Sequence, residues 1–169
     1  MLSNVRLQCS GAVNRLSRHS AIEKHRGKIL LYVGIAGDPP GGEYKDMFCG
    51  FRIITCDIGK EWLPQVLTDI TCSGFGESSI AIVLCIQVIE HVRNLWQLPT
   101  ELYRIICPDG CIIVDSPWQL GYHGEARFGD YWRVSKDGFN VLFAEPRFTI
   151  VELIEQTQNT TCLIVVNKG

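Results

Sequence analysis

"RFTIVELIEQTQNTTCLIVVN", residues 147–167, holds two β-rich apolar runs, 147–156 and 160–167, with only Thr157, Gln158 and Asn159 between them. Parallel neighbours in a sheet need a crossover of roughly a dozen residues, so a three-residue link makes these runs an antiparallel hairpin. Upstream, β-like runs alternate with helix-like segments: 29–33 (ILLYV), 51–56 (FRIITC), 67–70 (LTDI), 80–86 (IAIVLCI) and 111–115 (CIIVD). Such alternation predicts a parallel sheet with helices on both faces, here closed by the terminal hairpin.

The clearest helix signal is 94–106, where Leu95, Leu98, Leu102 and Ile105 or Ile106 share one face before "CPDG" (107–110) forms a turn. Segments 43–49 and 60–66 are short helical candidates. A further helix is expected near 135–144, capped by Ser135 and closed before Pro146.

A chain of 169 residues is expected to form a single domain, 1–169, with 1–27 as a basic leading helix or arm. Residues 1–28 carry six Lys/Arg against one acid, Glu23, in a chain of net charge −2. A basic, Ser-containing start suits a transit peptide, whereas Val13, Leu16 and Ala21 or Ile22 suit one face of an ordinary leading helix. The balanced charge argues against a nucleic-acid partner. The longest apolar run, 80–86, is too short to span a bilayer, so no membrane association is expected. Eight cysteines without a C-x-x-C pair, several inside apolar runs, read as reduced core thiols of a cytoplasmic protein.

The stretch "ILLYVGIAGDPPGG" (29–42) runs from a strand into a glycine-rich loop. No Lys-Ser or Lys-Thr follows the glycines, which excludes a Walker phosphate loop, and a dinucleotide G-x-G-x-x-G is poorly met because Ala36 and Pro39 take its second and third glycine positions. Pro39 and Pro40 also remove backbone donors that a pyrophosphate would need. Asp57, at the end of the second strand, can accept from both hydroxyls of a ribose; the alternative is a solvated turn aspartate.

The ordered set "VGIAG" after strand one, "CDIG" after strand two, "LTDI" at strand three, "QVIEHV" after strand four and "ELYRIICPDGCIIVDSP" leading into strand five resembles the class I S-adenosylmethionine-dependent methyltransferases over about residues 25–169. That resemblance implies a three-layer α/β/α Rossmann-like fold with a seven-stranded, mostly parallel sheet of order 3-2-1-4-5-7-6 and an antiparallel C-terminal strand. It further implies S-adenosyl-L-methionine as cofactor and S-adenosyl-L-homocysteine as product. Gly34 and Gly37 would lie against the methionine part, Asp57 on the ribose, Asp69 at the adenine amino group with the backbone of Ile70 beside it, and Gln87 near the methionine moiety and the reacting methyl, with Ala36 and Ile58 also among the cofactor-binding residues. Tyr32 departs from the pattern, because the family usually has a carboxylate two residues before the first glycine.

The segment after strand five, 116–135 (SPWQLGYHGEARFGDYWRVS), is long and rich in polar and aromatic groups, as expected of a binding loop. Its phrase "HGEARFGDYWR" resembles a segment of methyltransferases in sugar and glycan pathways, implying a small-molecule or saccharide acceptor. Tyr131 or Trp132 can stack on a ring, and Arg133 can pair with a carboxylate or phosphate. Alternatively, the aromatics anchor the loop and Arg133 pairs with a neighbouring acid. His123 and Asp130 are candidate proton acceptors, with His91 in reserve. No metal ligands are read from the sequence. A second function remains open beside methyl transfer: a catalytically degenerate methyltransferase-fold protein with a binding or regulatory role, as the missing carboxylate at Tyr32 would allow.

Overall fold

The computed structural model describes residues 11–36, 44–124, 128–143, 147–156 and 160–166, with side-chain surroundings through residue 154. Among the described residues, seven strands form one sheet: β1 (Ile29–Val33), β2 (Arg52–Asp57), β3 (Val66–Leu67), β4 (Ile80–Ile86), β5 (Ile106–Pro117), β6 (Thr149–Gln156) and β7 (Thr160–Val166). Their spatial order is β3-β2-β1-β4-β5-β7-β6. The first five pair in parallel, while β7 runs antiparallel to both β5 and β6. Residues 157–159, which join the last two strands, lie outside the described residues.

Among the described residues, four helices flank the sheet: α1 (described over 11–17), α2 (Ser20–Glu23), α3 (Gln97–Ile105) and α4 (Lys136–Leu142). Alternation along the strands sends side chains to two cores. Leu31, Val33, Val83, Cys85, Ile112 and Val114 point to one, where Leu98, Leu102 and Ile105 of α3 and Phe139 of α4 cover them. Leu30, Tyr32, Ile82, Leu84 and Ile113 point to the other, covered by Val13 and Leu16 of α1, Ile22 of α2, and Tyr44 and Phe48. Tyr32, at the position where the family pattern has a carboxylate, is therefore a core residue, its ring edge-on to Tyr44 at 5.7 Å.

Local chemistry shifts several expected boundaries. The strand expected at 67–70 pairs only through Val66 and Leu67, because the Asp69 side chain accepts from the Thr71 N–H at 2.8 Å and starts a 3₁₀ turn, Ile70–Cys72. The turn expected at "CPDG" becomes a bulge inside β5: Ile80 pairs with Ile106 but Ile82 with Cys111, and Asp109 takes φ +64°. Gly110 permits that excursion, since a Cβ there would lie 2.8 Å from the Cys107 carbonyl and 2.9 Å from that of Ala81. The 60–66 candidate shrinks to a 3₁₀ turn, Lys60–Trp62, ended by Leu63 in the left-handed region at φ +52°. Of the 43–49 candidate, only hydrogen-bonded turns around Tyr44–Phe48 are present among the described residues. Ser135 does cap α4, its Oγ accepting from the Gly138 N–H at 3.1 Å.

Cys49, Cys56, Cys72, Cys85, Cys107 and Cys111 are free thiols, and Cys56, Cys85 and Cys111 are buried. Burial pushes the Cys56 and Cys111 thiols up to about 12. No described helix is long and apolar enough to cross a membrane.

One buried carboxylate ties α3 to the turn after β3. Glu101 accepts from the Ser73 N–H at 3.0 Å, the Ser73 hydroxyl at 2.7 Å and twice from Arg104, whose guanidinium is the main reason its pKa lies below 4.5. A depressed carboxyl pKa contributes stability that is complete above 4.5 and is lost as pH falls below it. Glu101→Gln is expected to cost about 2 kcal/mol at neutral pH, given hydrogen bonds to a charged acceptor. In urea unfolding series, that deficit should shrink on acidification below 4.5; a deficit independent of pH would contradict the assignment.

Candidate functional site

The carboxyl ends of β1, β2, β3 and β4 open onto a cleft of about 400 Å³. In an open α/β sheet, strand order reverses between β1 and β4, and the chain leaves both strands in opposite directions to form such a crevice. Gly34, Asp57, Ile58, Asp69, Ile70, Val88, His91, Phe128 and Tyr131 are among its walls.

Backbone conformations disfavoured for L-residues gather at this edge. Gly34 has φ +72°, Ala36 φ +33° and Gln87 φ +54°. A left-handed non-glycine residue costs on the order of 1–2 kcal/mol, and such strain concentrates at functional sites. Gly34 also meets the segment after β4 closely: a Cβ there would lie 2.3 Å from Cγ2 of Val88. Only glycine lets the two loops close the cleft floor.

Two carboxylates line the opposite wall. Asp57 is buried, at 8% exposure, and accepts from the Gly59 N–H at 2.7 Å and, more loosely, the Ala36 N–H at 3.3 Å. Among the described residues each oxygen takes one donor, so each keeps a lone pair for a ligand. Asp69 uses one oxygen, Oδ1, for both the Thr71 N–H and the Thr71 hydroxyl, at 2.8 and 2.7 Å. Ile58, at 69% exposure, offers an apolar edge beside Asp57. Of the remaining residues expected here, Gly37 lies outside the described residues, and Ala36 reaches the site through its bond to Asp57. Gln87 is not among the cleft-lining residues; its amide donates to the Asp115 carboxylate.

The segment after β5 is stapled across the segment after β4. Tyr131 N–H donates to the Glu90 carbonyl at 2.7 Å, the Trp132 indole N–H to the Val92 carbonyl at 2.8 Å, and His91 Nδ1 lies 2.6 Å from the Gly129 carbonyl. Tyr131 lines the cleft with its ring half open to solvent and Arg93 above it, whereas Trp132 anchors the loop. Arg133 turns inward along its own loop, donating to the Leu120 and Gly121 carbonyls and gripping both oxygens of Asp130. That guanidinium is the main reason the Asp130 carboxyl falls to about 2. At such a value it orients neighbours better than it accepts a proton.

Asp130 in turn holds His123, accepting from its backbone N–H at 2.9 Å and facing its Nδ1 at 3.3 Å. The other ring nitrogen of His123 is 3.4 Å from Glu90 Oε1, and that carboxylate raises the His123 pKa above 6.5 against the opposing effect of burial. His91 Nε2 stands 3.7 Å from the same oxygen, with the two imidazoles edge to face at 5.1 Å. His91 reaches the cleft wall; His123 and Asp130 do not. Sequence reasoning missed Glu90 at the centre of this group. Its only signal was the adjacent pair Glu90-His91 just past β4, since His123 arrives from a distant loop.

The family of which a model matches residues 43–114 is described as a methyltransferase domain. An uncharacterized methyltransferase of Mycobacterium leprae is 28% identical over 115 residues, covering 61% of this chain and 42% of its own length. The chain therefore spans about two-fifths of the length of the curated relatives it matches. Among solved structures, the N-methyltransferase NodS of Bradyrhizobium japonicum superposes with a TM-score of 0.71 at 14% identity, covering 98% of each chain. The Burkholderia thailandensis 1,6-didemethyltoxoflavin-N1-methyltransferase, crystallised with that compound and S-adenosylhomocysteine, gives 0.69 at 15% identity, covering 94% of this chain and 79% of its own. By sheet order and cleft position the chain has the seven-stranded, Rossmann-like fold of these methyltransferase structures, and its residues 43–114 are similar to a methyltransferase domain.

Proposed function

We propose that the protein is an S-adenosylmethionine-dependent methyltransferase acting on a small-molecule or saccharide acceptor, and the observation that carries this reading is the pairing of Asp57 and Asp69 along one cleft floored by Gly34. The residues fit an adenosine-bearing ligand. Asp57 keeps acceptor capacity on both oxygens for a ribose diol, Asp69 keeps Oδ2 for the adenine amino group, and Ile58 and Ile70 supply apolar edges. The missing side chain of Gly34 leaves the backbone open to the methionine part.

The bound cofactor supplies a methyl group on a sulfonium, an activated donor that needs alignment with its acceptor more than further activation. The chain's task is then to hold the acceptor in line and keep water out. Tyr131 and Phe128 provide ring faces on the wall of the cleft, beside His91. Where the acceptor must lose a proton, it leaves to the Glu90–His91–His123 group, with Asp130 and Arg133 setting the His123 ring in place.

The acceptor class is tested by incubating the protein with methyl-labelled S-adenosylmethionine and separate pools of hydroxylated and amine-bearing small molecules, free saccharides, nucleic acid and denatured protein. Label is expected in the small-molecule or saccharide pools. Label confined to nucleic acid or protein would overturn the acceptor reading.

A further inference from the structure

Beside the cleft, a buried carboxylate and two imidazoles converge. Glu90 has no solvent exposure, and neither of its carboxylate oxygens has a hydrogen-bond partner among the described residues. His123 Nε2 is likewise buried and without a hydrogen bond, 3.4 Å from Glu90 Oε1. A buried carboxylate that only faces two imidazoles, without a close hydrogen bond to either oxygen, carries a desolvation cost that a bound cation would offset.

The tautomers follow from the outer contacts. His91 Nδ1 lies 2.6 Å from the Gly129 carbonyl, which can only accept, so the proton sits on Nδ1 and Nε2 carries a lone pair. His123 Nδ1 faces the Asp130 carboxylate and the Gly121 carbonyl, both at 3.3 Å, which favours the same tautomer. Imidazoles that bind metals commonly hand their other N–H to a carbonyl or carboxylate in this manner. In that tautomer Nε2 of each ring is left to bind an ion seated beside Glu90, which would take the place of the proton that the carboxylate otherwise favours on His123.

The geometry points to a divalent transition-metal site formed by Glu90, His91 and His123. One donor atom from each lies within 4.8 Å of the others. The two nitrogen-to-oxygen edges, 3.4 and 3.7 Å, are close to the roughly 3.3–3.5 Å spacing that Zn–N and Zn–O bonds of about 2.0–2.2 Å give around a tetrahedral ion. The third edge, between the two imidazole nitrogens, is no wider than 4.8 Å. Two imidazoles and one carboxylate suit zinc, manganese, cobalt or iron(II) rather than magnesium or calcium, which prefer oxygen. Three protein ligands leave positions for water or for an oxygen-bearing molecule entering past His91 from the cleft. The site requires no assumption about methyl transfer.

The test titrates the whole chain, first stripped with a chelator, with Co²⁺ under visible absorption. One equivalent is expected to bind with the spectrum of nitrogen and oxygen ligands, weakened by at least roughly tenfold in Glu90→Gln and in His123→Ala. Absence of binding at millimolar Co²⁺, equal binding by the variants, or a thiolate charge-transfer band from exposed Cys49 or Cys72 would overturn the assignment. Independently of whether those variants fold, histidine ¹⁵N spectra of the unaltered protein with Zn²⁺ should shift the Nε2 signals of His91 and His123 and leave those of His19 and His25 in place. Unmoved signals of the first pair would contradict it. Titration of the metal-free protein with S-adenosylhomocysteine reports the cofactor reading separately.

Discussion

Gly34→Ala is expected to lose most of the affinity for S-adenosylhomocysteine and to lower the melting temperature measurably. Two costs add at this residue. Its φ of +72° is a conformation that alanine adopts at a penalty of about 1–2 kcal/mol. The new Cβ would also come to 2.3 Å from Cγ2 of Val88, and relieving such overpacking costs roughly 1–3 kcal/mol. The β1 and β4 loops must then part, which opens the floor of the cleft between them. A second substitution separates the two costs: Val88→Ala in the same chain should recover the part due to overlap and leave the part due to backbone strain. A Gly34→Ala protein with unaltered stability and affinity would show that the close approach has no consequence.

Asp57→Ala is expected to weaken S-adenosylhomocysteine binding by about a hundredfold, corresponding to ~2.7 kcal/mol for charge-assisted bonds lost to the ribose. The same carboxylate holds the Gly59 and Ala36 N–H groups, so the loops after β1 and β2 should loosen as well. Asp57→Asn distinguishes binding from loop order, because its amide oxygen can still accept from one N–H while the charge is gone. An intermediate affinity with near-normal stability is expected for it. Calorimetry and thermal unfolding on the three proteins check both effects, and equal affinity in all three would remove Asp57 from the site.

The architecture was legible where it depends on hydrophobic period and loop length. A three-residue link at 157–159 forces an antiparallel pair, and β1, β4 and the 110–117 part of β5 are buried, which the apolar runs 29–33, 80–86 and 111–114 announce. Boundaries were lost where a single side chain competes with the ladder. Asp69 ends β3 early by capping the next turn, and "CPDG" passes through β5 as a bulge because Ile106 pairs before it and Cys111 after it. Propensity alone describes neither event, since both are settled by a neighbouring strand or an N–H two residues away.

The site was legible to the extent that its residues follow strand ends. Gly34, Asp57, Ile58, Asp69 and Ile70 arrive on one cleft through strand order. Side-chain direction was not legible. Gln87 sits at the expected place after β4, yet its amide turns to Asp115, and Arg133 spends its donors on Asp130 and on the carbonyls of its own loop. Glu90 is the opposite case: an unremarkable acid in sequence that folding buries completely between two histidines from different segments.

The central claim, that this cleft is an S-adenosylmethionine site, is tested most directly by calorimetric titration of the unaltered protein with S-adenosylhomocysteine. Saturable binding of one equivalent, greatly weakened in Asp57→Ala, is the predicted result. Absence of heat and of any thermal stabilisation at millimolar ligand would contradict the account.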